Sequence, residues 1–290
     1  METFGHVDWL SVTFDADFDE RLIEAYVGTF KTLGAGSHGY TRRAQSKIGA
    51  VLLADGERRQ GKSLTLSSDV LEGLRTILES DGPILDFVSH HKGRASRLDL
   101  ALDIVEATIT PSSLWAEYQA GMARTSTRSN LALTSNERGV ETFYIGSRQS
   151  DKFLRVYDKA LEQKMDDKAW LRLELQCRRL VARSYVSSMV EQKSIRPFIN
   201  RAITEFCDFP LSAEFREATA QDNADVPTLA RKIPHFWRWM ETQVIPAMAS
   251  RQVEFPEENV LKTLTLLYHK HLEKRGRNLR PNDALLDSSE

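Results

Sequence analysis

The segment Arg97-Leu-Asp-Leu-Ala-Leu-Asp-Ile104 alternates polar and apolar residues without a break, and this period of two constrains the chain more than any other feature. Successive side chains of a β-strand point to opposite faces. Leu98, Leu100, Leu102 and Ile104 therefore line one face, and Arg97, Asp99, Ala101 and Asp103 the other. Two later segments repeat the pattern. In Phe153-Leu-Arg-Val-Tyr-Asp-Lys159, Leu154 and Val156 oppose Phe153, Arg155, Tyr157 and Lys159; in Trp170-Leu-Arg-Leu-Glu-Leu-Gln-Cys177, Leu171, Leu173, Leu175 and Cys177 oppose Arg172, Glu174 and Gln176. Pairing of these strands brings Asp99, Asp103, Glu174 and Tyr157 onto one surface.

Around them the signals divide the chain in two. Val7 to Phe14 reads as a first strand, and Asp17 to Leu33 as a helix. Gly39 to Leu66 holds three short strand-like stretches, with Asp55 to Lys62 as a basic turn. Ser67 to Ser80 is a capped helix, and a second short helix ends at Lys92-Gly93. A helix near Ser112 to Ala123 is followed by strands at Leu131 to Leu133 and Glu141 to Ile145. Beyond Arg178 the period changes to that of helices, at Val181 to Gln192, Arg196 to Asp208, Thr228 to Ser250 and Glu257 to Lys274. The aromatic run Pro234 to Met240 reads as packing of that region. The expected class is α+β, a central antiparallel sheet flanked by helices with a helical C-terminal region.

Composition excludes several functions. With 290 residues, 41% apolar and 28% charged, the chain is long enough for a sizeable core, and no window approaches the roughly 18 apolar residues of a membrane span. Met1 is followed by Glu2, Thr3 and His6 rather than a basic and apolar leader, so a cytoplasmic protein with no membrane partner is expected. Cys177 and Cys207 are too few and too far apart for a disulfide framework or zinc site. A net charge of -2 argues against coating nucleic acid by bulk charge, so any DNA contact must come from a local patch.

Asp99, Asp103 and Glu174, read with no compensating histidine, suit a hard divalent cation, magnesium or manganese, which prefers oxygen ligands. A tyrosine beside them suggests phosphoryl chemistry. A phenol with an ordinary pKa of about 10 needs a base or nearby positive charge to attack phosphorus, and Arg155 and Lys159 share its strand face. The same residues also admit plainer roles, a solvated polar strand face and a packed tyrosine.

In order, Val7 to Phe14, Arg97 to Ile104, Phe143-Tyr-Ile-Gly-Ser-Arg148 through Lys159, and Trp170 to Gln176 resemble the replication initiation factor family, the Rep_trans type. That family includes rolling-circle plasmid and phage initiators and relaxases of integrative elements. The resemblance covers about Val7 to Asp208 and implies a catalytic nickase domain over 1–210, with a nickase-like sheet, and a helical region over 211–290. It further implies a metal-dependent DNA nicking-closing enzyme using magnesium or manganese. Tyr157 matches the nucleophile, assisted by Arg155 and Lys159, and Asp99, Asp103 and Glu174 match the acidic positions near the metal. The expected product is a 5′-phosphotyrosyl intermediate and a free 3′-hydroxyl on single-stranded or extruded origin DNA, with later rejoining. Candidate phosphate contacts are Arg42, Arg43, Arg58, Arg59, Lys62, Arg148 and Arg172. A host helicase and a homodimer are the implied partners. Two other readings use the same residues: a non-catalytic origin-binding protein, and a nuclease in which the metal activates water.

Overall fold

A computed structural model describes residues 1–56, 61–106, 108–125, 127, 130–136, 139–165, 168–220, 224–227, 240, 244–256 and 259–274. The chain opens on β1 (Glu2–Phe14), which starts earlier than residue type suggests because residues 2–5 find partners in residues 102–105. α1 (Glu20–Val27) is capped by Asp19, whose side chain accepts from the Arg21 amide, and it stops at Gly28, where φ is 78°. The helix expected over Asp17 to Leu33 is therefore shorter, and its tail becomes β2 (Lys31–Ala35). β3 (Arg42–Gln45), β4 (Val51–Ala54) and β5 (Lys62–Leu66) complete a meander; Arg58 and Arg59 in its turn lie outside the described residues.

α2 (Ser68–Leu78) and α3 (Gly82–His90) lead into β6 (Arg94–Val105). α4 (Pro111–Gln119) begins with a reciprocal cap between Thr110 and Ser113 and is followed by β7 (Arg124–Thr125), β8 (Asn130–Asn136), β9 (Gly139–Ile145) and β10 (Lys152–Asp158). Lys159, expected to end that strand, instead opens α5 (Lys159–Glu162), because the Asp158 carboxylate accepts from the Leu161 amide at 2.9 Å and turns the chain. The rest is β11 (Trp170–Arg178), α6 (Arg179–Gln192), α7 (Arg196–Phe206), β12 (Cys207–Asp208) and α8 (Ala213–Thr219), then α9 (Ile245–Glu254) and α10 (Val260–Lys274). The aromatic run 234–239 lies outside the described residues.

Ten strands form one antiparallel sheet in the order β2-β3-β4-β5-β1-β6-β11-β10-β9-β8, and β12 pairs with β7 in a second, small one. The three alternating strands are neighbours, as their pattern predicts. Arg172 lies opposite both Asp103 and Tyr157, Glu174 opposite Ala101 and Arg155, and Gln176 opposite Asp99 and Phe153. On the far face Leu98, Leu100, Leu102, Ile104, Leu173 and Leu175 are buried under α6 and α7, each stabilising the fold by roughly 1.5–3 kcal/mol. Asp99 and Asp103, on the near face, are only 1% and 3% exposed. A merely solvated strand face would leave them wet, so this surface has a built interior of its own.

The first compact unit is Met1–Thr228, with Phe215, Ala218 and Val226 buried in its core. The second, Leu229–Glu290, contains α9 and α10. Among the described residues both cysteines are free and buried, and no helix is long and apolar enough to cross a membrane.

Two glycines test the packing with opposite signs. A Cβ at Gly93 would stand 2.7 Å from both Val12 Cγ1 and Phe14 Cε1, so Gly93→Ala is expected to destabilise by about 1–3 kcal/mol. Gly73, inside α2, has open space around it, and Gly73→Ala is expected to stabilise by about 0.5–1 kcal/mol. Urea unfolding of both variants measures the two differences.

Candidate active site

The site begins with an irregularity in β1. Its register with β6 shifts between Val7 and Trp9, leaving Asp8 as an extra residue, and such a bulge re-aims the side chains around it. His6, opposite Ala101, shares a face with Asp99 and Asp103, and the bulge adds Asp8 to that face. His6 Nε2 is 3.6 Å from Asp8 Oδ1, and its Nδ1 is 3.6 Å from Asp103 Oδ2. The carboxylates were expected to have no histidine partner; the structure corrects this. The available signal was the polar pair His6 and Asp8 flanking Val7, at the start of a segment read only as a strand.

Arg172 ties this corner together. Its Nε and Nη2 donate to the two oxygens of Asp103 at 2.6 and 2.8 Å, and its Nη1 to Asp8 Oδ1 at 2.8 Å. Trp170 Nε1 donates to Asp103 Oδ1 and Ser68 Oγ to Asp8 Oδ1, each at 2.8 Å. Burial alone would raise the Asp8 pKa, but the His6 hydrogen bond and the Arg172 charge outweigh it and hold the carboxyl well below the usual range. Arg172 was expected among the phosphate contacts. Its register opposite Asp103 buries it instead, 5% exposed, between two carboxylates.

One row along, Arg97 forks onto the Asp99 carboxylate, and Gln176 Nε2 donates to it at 3.1 Å. Burial still pushes Asp99 above its ordinary value. Glu174 lies between these two knots and differs from both. Its Oε2 is 3.4 Å from the Tyr157 hydroxyl and 3.7 Å from Arg155 Nη1. Burial, reinforced by the negative charges of Asp99 and Asp8, raises its pKa to about 7.

Tyr157 is 2% exposed. The Arg155 guanidinium stacks over its ring at 3.7 Å and the Lys159 ammonium stands 5.8 Å from the ring centre. Burial and the neighbouring Glu174 push its pKa up, so the phenol is protonated at neutral pH and donates towards Glu174. Arg155 is held loosely: Nη2 is 3.4 Å from Glu162 and Nε is buried without a partner among the described residues. Lys159 pairs with Glu162.

Of the remaining candidate DNA contacts, Arg42 is paired with Glu20 and Asp55, and Lys62 with Glu20 and the Phe18 carbonyl. Arg43 and Arg148 are exposed. A cleft of about 610 Å³ opens beside the Arg172 corner, lined among others by His6, Asp103, Lys159, Trp170 and Arg196.

Asp99, Asp103 and Glu174 share one face, yet among the described residues no three His, Cys, Asp or Glu side chains converge as a metal site, because Arg97 and Arg172 occupy the oxygens of the two aspartates. The donor chemistry nevertheless fits a hard cation. Burial is the main cause of the raised pKa values of Glu174 and Asp99, with the negative charges of Asp99 and Asp8 adding to it at Glu174 and that of Asp8 at Asp99.

The chain matches the family model described as replication initiation factor over residues 93–265, a stretch that contains all of β6, β10 and β11. A solved rolling circle replication initiator protein from Geobacillus stearothermophilus superposes on it with a TM-score of 0.62 at 20% sequence identity, covering 81% of this chain and 95% of that one. At that identity the likeness shows a shared fold. No curated protein matches the chain. Because the family model spans more than half of the residues and the three strands that build the site, this chain belongs to the replication initiation factor family.

Proposed function

We propose that this initiator nicks one strand of its origin DNA with Tyr157 as nucleophile and later reseals it. The observation that carries the reading is the Tyr157–Glu174 pair, a buried phenol whose one close ionisable acceptor has a pKa of about 7, under a stacked arginine. Glu174 is poised to take the phenolic proton near neutral pH. The phenolate oxygen then forms a bond to phosphorus while the bond to the 3′ oxygen breaks, and that oxygen leaves as a hydroxyl once protonated from solvent. Arg155, drawn from the ring to the phosphate, balances charge on the non-bridging oxygens, and Lys159 stands near enough to assist. The phosphotyrosyl bond keeps the energy of the phosphodiester, so attack by a 3′-hydroxyl restores the strand.

Asp99 and Asp103 would hold magnesium or manganese, leaving Glu174 free as the base; when bound, the ion would supply charge stabilisation at phosphorus. Arg97 must then release part of Asp99. The scissile strand must be single or extruded for in-line attack. Recruitment of a host helicase and assembly as a homodimer belong to the same proposal and rest on the family alone.

Incubation with supercoiled origin DNA and manganese is expected to yield nicked circles with protein on the 5′ end. Tyr157→Phe is expected to abolish the adduct, and Arg155→Ala to slow nicking by roughly 10²–10³-fold. Nicking without an adduct would favour a water-activating nuclease, and binding without nicking an origin-binding protein.

Glu174 also predicts a pH dependence. Its folded pKa, about 7, lies above the ordinary 4.5, so the neutral form favours folding. Its contribution to stability is full below about 4.5 and is lost as pH rises through about 7. Nicking should rise over the same interval as the base ionises. Glu174→Gln is expected to flatten both curves, read by urea unfolding and by adduct formation across neutral pH.

A further inference from the structure

The polar face of the sheet continues beyond Glu174 and Tyr157, and there it carries a repeated motif. Arg97 lies over the Trp9 ring at 4.5 Å, Arg178 over Phe153 at 5.7 Å and Arg148 over Tyr144 at 4.6 Å. The registers place all three rings on the near face: Trp9 opposite Asp99, Phe153 opposite Gln176, Tyr144 opposite Arg155. The three stacks form a band across β1, β6, β11, β10 and β9: Trp9 and Phe153 lie in the row of Asp99 and Gln176, two residues along β11 from Glu174 and four along β10 from Tyr157, and Tyr144 lies in the adjacent row of Arg155 and Glu174. Trp9 and Tyr144 are partly exposed and Arg148 is exposed, so the two ends of the band open outward, while Phe153 between them is 7% exposed with Arg178 over its ring. In the middle of the band the buried Gln176 carbonyl oxygen has no hydrogen-bond partner among the described residues.

Structural stacking alone gives little reason for three aromatic rings each to be covered by an arginine across two adjacent rows. Single-stranded nucleic acid matches both halves of the motif, because bases stack on aromatic faces and guanidinium groups pair with phosphates. Arg148 and Arg178 sit on the strand side away from the acidic corner. The vacant Gln176 oxygen would accept from a base amino or imino group. A duplex could not use the rings, since its bases are already stacked.

We propose that Trp9, Phe153 and Tyr144, with Arg97, Arg178 and Arg148, form a stacking track that holds single-stranded DNA next to the scissile phosphate. The track rests on the nicking reading for its place in the reaction but not for binding itself. Ligand displaces each arginine from its ring to a phosphate, leaving the ring for a base. The same displacement would loosen Arg97 from Asp99.

The test uses the full chain and a fluorescein-labelled dT12 oligonucleotide without a nick site, read by anisotropy, with adduct formation on origin DNA measured in parallel. Trp9→Ala and Tyr144→Ala are each expected to weaken binding about 10-fold, the worth of one lost base stack, and to leave the salt dependence unchanged. Trp9→Phe and Tyr144→Phe are expected to keep most of the affinity, which separates stacking from misfolding. Arg148→Ala should weaken binding and reduce the salt slope by about one phosphate contact. Wild-type affinity in both alanine variants would overturn the track, as would equal loss in alanine and phenylalanine variants. Loss of binding in the alanine variants with no adduct from wild type would sink the nicking reading and leave the track standing; the reverse result would do the opposite.

Discussion

A guanidinium shared by two buried carboxylates orders the near face of this sheet. Arg172 on β11 binds Asp103 on β6 through two parallel hydrogen bonds and reaches Asp8 on β1 with its remaining nitrogen. Removing three charges from water costs several kcal/mol per ion before any attraction is recovered. That cost is met here by dense hydrogen bonding: Trp170, Ser68 and His6 all approach the two carboxylates. The bond geometry is directional, so it also pins three strands in one register. A slip of one residue would put a leucine where Arg172 now stands.

From that corner the charges are distributed unevenly, and the unevenness is what makes chemistry available. Asp8 and Asp103 have Arg172, and Asp99 has Arg97, but the nearest guanidinium ion pair of Glu174 among the described residues is Arg155, at 3.7 Å. Burial with incomplete compensation lifts its pKa to about 7, where a carboxylate can both receive and release a proton under physiological conditions. A phenol needs such an acceptor, because the burial that shields Tyr157 also raises its pKa. Arg155 covers the ring of that phenol.

The opposite face supplies rigidity. Leucines from the same strands whose polar residues make the site are buried beneath α6 and α7, so polar groups and core are connected through one backbone. Movement of a carboxylate by even an ångström would disturb packing on the other side. Arg155 is different: its guanidinium has only long contacts, to Glu162 and Glu174, so it can exchange partners without disturbing the core.

The period of two determined a great deal by itself. It placed Asp99, Asp103, Glu174, Arg155 and Tyr157 on one surface, because side-chain alternation is a property of the strand and needs no tertiary information. Local signals were weaker at element ends: Gly28 and Asp158 cut short a helix and a strand whose residue types suggested longer ones. What only the folded chain decided was partnership. His6 and Asp8 entered the site through a bulge in β1 that no alternation rule announces, and Arg172 turned from a surface cation into the buried centre of the site because the register sets it against Asp103. Which carboxylate is compensated and which is not depends on distances between strands far apart in the chain. For that reason the identity of the acidic residues was legible in sequence, and their unequal charge was not.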